Sequence, residues 1–179
     1  MAAAKFLDAI SRMPGMAGEN ADARGAYTQV TQAEVKELLG DHPGCNAETW
    51  VRLPSNRRPK SWDKIDHPVC KLLINLYGHP LAVLIWEKYC HKRLAEIGFE
   101  KIHGWENLFV HREKKLFLSV YVDDFKMAGS KQHLKAMWEE VGKKLEMDPP
   151  EPVHGNVYLG CSQHDIKTDN DLVNENRNL

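Results

Sequence analysis

Leu116-Phe117-Leu118-Ser119-Val120-Tyr121-Val122-Asp123-Asp124-Phe125-Lys126-Met127-Ala128-Gly129 sets an acidic pair between two apolar runs. Both runs are short and strand-like, so the stretch reads as a β-hairpin with the carboxylates at its tip. Side chains alternate along a strand. Leu116, Leu118, Val120 and Val122 therefore share one face, expected to pack on helices. Phe117, Ser119, Tyr121 and Asp123 share the other, which would present Asp123 to a cleft. Asp is common at turns because its side chain bonds local backbone, so a plain turn is one reading. The other reading starts from charge. Two carboxylates held side by side repel each other and call for a compensating cation, and Mg²⁺ is the usual choice in phosphate chemistry.

On either side of the hairpin the chain alternates short strands with amphipathic helices. Phe6 to Met13 reads as a short helix, after which Gly15, Gly18 and Asn20 interrupt any regular pattern. Thr31-Gln32-Ala33-Glu34 is a capping box opening a helix that Gly40 ends. Trp50 to Leu53 is a short strand, and Pro54 to Lys64 a polar, basic loop. Pro80 suits the first turn of a long helix and Gly98 its end. Leu108 to Val110 is a further strand. Ser130 is placed to cap a helix carrying Leu134, Met137, Trp138, Val141 and Leu145, which Pro149 and Pro150 stop. Val157 to Leu159 is a last strand, and the chain turns polar from Asp165 onward. These elements predict an α+β fold, an antiparallel sheet with helices packed on one face. One domain is expected over residues 1–163, followed by a polar, frayed tail over 164–179.

Composition narrows the function classes. The 179 residues suffice for one domain with a real core. Hydrophobic residues at 42% and charged residues at 27% are globular values. A formal net charge of -1 gives no global basic field, so any phosphate contact must come from local patches. The candidates are Arg57-Arg58-Pro59-Lys60, Lys88 with His91-Lys92-Arg93, His111-Arg112 with Lys114-Lys115, and Lys143-Lys144; the first is favoured for nucleic acid. The four cysteines form no CxxC pair, which points to buried, reduced thiols. The start lacks the layout of a signal peptide, and no apolar run is long enough to span a bilayer, so a soluble intracellular protein with no membrane partner is expected.

A second acid precedes the hairpin in Asp22-Ala23-Arg24-Gly25-Ala26-Tyr27. A two-metal transfer site draws carboxylates from separate segments. In chain order follow Leu76-Tyr77-Gly78, Leu108-Phe109-Val110, Tyr121-Val122-Asp123-Asp124, Gly129-Ser130 and Tyr158-Leu159-Gly160. The ordered set, spread from about Phe6 to Gln163, resembles the reverse transcriptase domain of copia-type retrotransposons.

That resemblance implies a polymerase palm. Asp22 and Asp123 would be the metal-binding acids, with Asp124 the accompanying acid, and Mg²⁺ or Mn²⁺ the cofactor. Ala23 would add a backbone carbonyl. Tyr27 would lie under the incoming sugar, where it clashes with a 2′-hydroxyl. Tyr121 falls with the substrate-binding residues. Tyr158, Leu159 and Gly160 would grip the primer end. The plainer reading of Tyr27 and Tyr158 is as core aromatics. Leu81 stands where the family places a Gln against the nucleotide, and the segment before Asp22 lacks the apolar residues of a strand. Lys143 or Lys144 is a candidate proton donor to pyrophosphate. Fingers and thumb are expected to be largely missing.

Two functions follow as expectations. One is RNA-directed DNA polymerase activity, adding deoxynucleotides from their triphosphates to a primer on an RNA or DNA template. The alternative is a catalytically silent retroelement remnant that binds nucleic acid weakly at most.

Overall fold

A computed structural model describes residues 2–43 and 48–162. The helices are α1 (Ala2–Ser11), α2 (Gln32–Leu39), α3 (Ala82–Glu96) and α4 (Lys131–Gly142). The strands are β1 (Met16–Asp22), β2 (Trp50–Val51), β3 (Cys70–Lys71), β4 (Glu100–Lys101), β5 (Leu108–His111), β6 (Leu116–Tyr121), β7 (Asp124–Ser130), β8 (Glu151–Pro152), β9 (Val157–Tyr158) and β10 (Cys161–Ser162). Six of them form an antiparallel sheet in the order β4-β5-β6-β7-β1-β8. The α+β class is as the sequence predicts. Cys45 and the polar tail lie outside the described residues.

The alternation along β6 decides the layering. Leu116, Leu118 and Val120 join Phe125, Met127 and Ala21 in a core with Val35 of α2, Ile85, Trp86 and Leu94 of α3, and Leu134, Met137 and Val141 of α4. Each large aliphatic or aromatic side chain buried here contributes about 1.5–3 kcal/mol, which makes this face the main source of stability. The opposite face carries α1. Phe6, Leu7 and Ile10 pack there against Leu108, Phe117 and Ala128, with Phe6 edge-on to Phe117 at 5.3 Å. Helices α2, α3 and α4 thus share one face, and α1 adds a cover on the other.

Local signals fix most helix ends. The Thr31 hydroxyl accepts the Glu34 N–H, and the Thr31 N–H is returned to the Glu34 carboxylate at 3.0 Å. Gly40 closes α2, and Gly98 follows α3. Ser130 occupies the N-cap of α4, but its side chain makes no capping bond; its N–H is instead spent on the Lys115 carbonyl.

The segment before Asp22 departs from expectation. Gly15, Gly18 and Asn20 predict a break in regular structure, yet Met16–Asp22 is a strand paired residue for residue with Asp124–Ser130. Tertiary pairing on both edges, to β7 and β8, overrides weak intrinsic propensity. Gly18 is there for close approach. A Cβ at that position would sit 2.7 Å from the Ser11 Cβ and 3.2 Å from a Val153 methyl, so only glycine lets α1 and Val153 close over the strand. The cysteines also differ from expectation: Cys90 is buried, but Cys70 is half-buried and Cys161 exposed. Among the described residues, no helix is long and apolar enough to cross a membrane.

Candidate active site

Asp22, Asp123 and Asp124 lie where β1 and β6 end and β7 begins. Asp22 closes β1 and lies directly opposite Asp124, the first residue of β7. Asp123 occupies the two-residue turn between β6 and β7. The Ala23 N–H donates to the Asp123 carbonyl at 2.7 Å, locking the turn to the end of β1. The segment after α4 fastens the other side: Asp148 donates its N–H to the Asp22 carbonyl at 2.8 Å.

The turn is strained. Val122 has φ +56°, a region in which a β-branched residue is a genuine outlier. Such conformations cost about 1–3 kcal/mol and persist where the surroundings over-determine them. Here the anchor is Trp86 of α3, whose indole N–H donates to the Val122 carbonyl at 2.7 Å. The Val122 side chain also packs on the core.

Like charges directly opposed on adjacent strands destabilise a sheet. Burial, then the charges of Asp123, Asp148 and Glu151, push the Asp22 carboxyl above its ordinary range. Burial, then Asp22 and Asp123, do the same to Asp124. Among the described residues no Lys or Arg pairs with the trio. Lys126, the nearest cation along β7, is bonded to Asp8 of α1, and Arg24 lies 3.5 Å from Asp148. A cleft of about 390 Å³ opens beside Asp22, lined also by Asn20, Asp148, Glu151 and Asn156.

The remaining sequence-predicted residues fall into three groups. Ala23 is buried and reaches the site through its backbone. Tyr27 is buried in the core, in tilted contact with Tyr77 at 4.4 Å; burial, then Tyr77 and the charge of Asp123, raise its hydroxyl pKa. The core reading of Tyr27 thus describes its position. Tyr121 is exposed on the strand that leads into the turn. Tyr158 is buried, its hydroxyl 3.4 Å from the Asp124 carbonyl oxygen and its ring 4.5 Å beneath the Lys126 ammonium. Burial drives its hydroxyl pKa strongly upward, against the lowering effect of a bond with Ser119. Leu159 and Gly160 form the turn between β9 and β10. Leu81 stands apart, at the N-cap of α3 and packed on the core. Lys143 and Lys144 are engaged by Glu140 and Glu96 at 2.6 and 2.8 Å.

Sequence reasoning missed Asp148, Glu151 and Trp86. The two acids follow a helix stop and carry no motif of their own; only the antiparallel return to β1 brings them beside Asp22. Trp86 sits at helical spacing with core residues, so its polar edge gave no separate signal.

Among the described residues, no group of three or more His, Cys, Asp or Glu side chains converges closely enough to make a preformed metal cage. The carboxylates nevertheless suit Mg²⁺, which keeps several waters and is typically held by one or two carboxylates plus substrate phosphates rather than by an all-protein cage. The unneutralised Asp22–Asp124 pair supplies such a donor set.

The family model described as reverse transcriptase (RNA-dependent DNA polymerase) matches residues 45–175, a range that includes Asp123 and Asp124 and begins after Asp22. No curated protein and no solved structure matches. With most of its length inside that match, the chain belongs to the reverse transcriptase (RNA-dependent DNA polymerase) family.

Proposed function

We propose that this chain is the palm-like domain of a copia-type reverse transcriptase, spanning residues 1–163, and that it adds deoxynucleotides to a primer 3′ end by two-metal nucleotidyl transfer. One observation carries the reading: Asp22 and Asp124 face each other across β1 and β7, with Asp123 on the strained β6–β7 turn beside them and, among the described residues, no cation paired with the three.

Each residue then has a task. Asp22, Asp123 and Asp124 hold the negative charge that a pair of divalent ions requires. Bound there, Mg²⁺ would lower the pKa of the primer hydroxyl and offset charge on the departing pyrophosphate. Trp86 and the Ala23 N–H keep the turn from relaxing. Tyr27, backed by Tyr77, offers an aromatic wall near Asp123 for the sugar of a deoxynucleotide. Tyr158 ties the Leu159–Gly160 turn to the Asp124 backbone, which suits a role in seating the primer end. Leu81 takes the place where the family has a Gln, and its side chain packs on the core rather than supplying that polar contact.

Primer extension on RNA and DNA templates tests the reading, with Mg²⁺ binding by calorimetry as a readout that needs no turnover. Templated incorporation and Mg²⁺ binding by the wild-type chain, both lost in Asp123→Asn, are expected. Incorporation that survives Asp123→Asn would overturn the assignment. A folded wild-type chain that neither extends primers nor binds Mg²⁺ through Asp123 would leave the silent, nucleic-acid-binding remnant as the answer.

A further inference from the structure

Among the described residues, Lys126 alone of the Lys, Arg, Asp and Glu side chains is buried, at 3% exposure. Its place on β7 is the reason. Alternate residues share a face of a strand, so Asp124, Lys126 and Ala128 lie to one side and Phe125 and Met127 to the other. The second side is the core shared with α2, α3 and α4. The first is the face that α1 covers, where Ala128 joins Leu7 in an apolar cluster. Lys126 lies opposite Asn20 of β1, one same-face step from the Asp22–Asp124 pair. That step is about 6.5 Å along the strand, a distance that the flexible four-carbon stem of lysine can span. The ammonium goes instead to the Asp8 carboxylate of α1.

Tyr158 marks how close these charges are. Its ring lies 4.5 Å from the Lys126 ammonium, and its hydroxyl 3.4 Å from the Asp124 carbonyl oxygen. Burial raises that hydroxyl most, and the charges of Asp124, Asp8 and Asp22 raise it further. One phenol thus has the cation and three acids around it. A buried ion pair is weak evidence of a stabilising role, because an apolar pair of similar volume often serves as well or better. The rest of this interface is apolar: Phe6, Leu7 and Ile10 seat α1 on Leu108, Phe117 and Ala128. What the ion pair adds is a fixed partner for Lys126. Without it, the ammonium has the carboxylates of Asp22 and Asp124 within reach, and a buried charge is costly unless paired.

We propose that Asp8 is a positioning residue for the divalent-ion site: by holding Lys126 to α1, it keeps that cation off Asp22 and Asp124 and leaves them free for Mg²⁺. This role rests on the metal site proposed above for the three carboxylates. It gives Asp8 and Lys126 no part in the chemical step.

Mg²⁺ titration by calorimetry and urea unfolding in metal-free buffer, both on the full chain, test it. In Asp8→Asn, Lys126 re-pairs with Asp22 and Asp124. Mg²⁺ affinity should fall about tenfold, the scale on which one nearby opposite charge shifts a carboxylate equilibrium. The metal-free urea midpoint should stay near wild type, because the ammonium keeps a partner. Adding Lys126→Met to Asp8→Asn should restore Mg²⁺ affinity, and Asp8→Glu should retain it. A role confined to fastening α1 predicts the reverse: an Asp8→Asn chain that is less stable or does not fold, with Mg²⁺ affinity intact wherever it does. Either result overturns the proposal, as does a lost affinity that the added Lys126→Met fails to restore. Wild-type protein that binds no Mg²⁺, or binds it independently of Asp123, overturns the metal-site reading and this role with it. Asp123-dependent binding that Asp8→Asn leaves unchanged overturns this role alone.

Discussion

Two tight hairpins flank Asp124, and they solve the same turn problem differently. The β9–β10 hairpin turns on Leu159 and Gly160, both in the left-handed region at φ +48° and +76°. Left-handed geometry at both positions is what a two-residue type I′ connection requires, and glycine at the second makes it easy. The β6–β7 hairpin turns on Val122 and Asp123, with only Val122 in that region, at φ +56°. Glycine is the favoured residue there, yet valine occupies it. The β9–β10 turn is helped by its own Gly160, although Leu159 takes the left-handed region without such help. The β6–β7 turn is imposed from outside, by the Trp86 hydrogen bond, the Ala23 N–H and the packing of Val122 on the core. Both turns hold a non-glycine residue in the left-handed region; it is β-branched at the turn that carries the carboxylate, and glycine at the second position eases the turn that carries none.

Substitutions in the two turns break or sharpen this contrast. The largest effect is expected for Asp123→Asn, which removes charge rather than shape. Primer-extension rates should fall by about a thousandfold or more, as loss of several kcal/mol of metal-mediated stabilisation requires, while urea unfolding stays near wild type. Trp86→Phe comes next. It leaves the Val122 carbonyl unpaired, so chemical denaturation should show a loss of about 1–3 kcal/mol. Gly160→Val should cost about 1–2 kcal/mol through backbone strain alone, because no atom lies within 4 Å of the Cβ it would add. The reciprocal change, Val122→Gly, should shift stability by less than about 1 kcal/mol, since relief of strain is offset by lost packing and by a more flexible unfolded chain.

The smallest effect is a pH dependence. Asp22 and Asp124 have folded-state carboxyls raised above the ordinary 3.8. A raised acid binds protons more tightly when folded, so its contribution is fully present below pH 3.8 and is lost as pH rises through the folded-state value. At neutral pH the pair therefore works against folding. Asp124→Asn should raise the thermal midpoint at pH 7, and the gain should vanish in scans below pH 3.8. A gain at pH 7 that Mg²⁺ erases by stabilising the wild type would sharpen the assignment of the site.

The β6–β7 hairpin was legible because two alternating apolar runs state their faces without help from elsewhere. Thr31 and Glu34 were legible because a capping box is closed within one turn. β1 was not, because Gly18, Glu19 and Asn20 carry no strand propensity and gain their conformation from neighbours distant in sequence. The family resemblance singled out Asp22, Asp123 and Asp124, but Asp148 and Glu151 were hidden. Their influence on Asp22 arises from the return of β8 alongside β1, a contact that local composition does not encode. Trp86 was hidden for the opposite reason: its spacing announces a core residue, and it is one, with a polar edge that acts elsewhere.

The pairing of β1 with β7 also sets when the site can exist. Met16–Asp22 and Asp124–Ser130 are joined through seven register pairs across most of the chain, and the intervening residues must be placed before those pairs close. Such non-local pairing delays folding, because the entropy of closing the loop is lost before any contact is gained. The three carboxylates are therefore scattered on a nascent chain and come together only in the completed sheet. Metal affinity at Asp123 would thus serve as a clock for the last long-range step of folding, and a chain released before β7 has formed would carry all the sequence of Asp22 and none of its site.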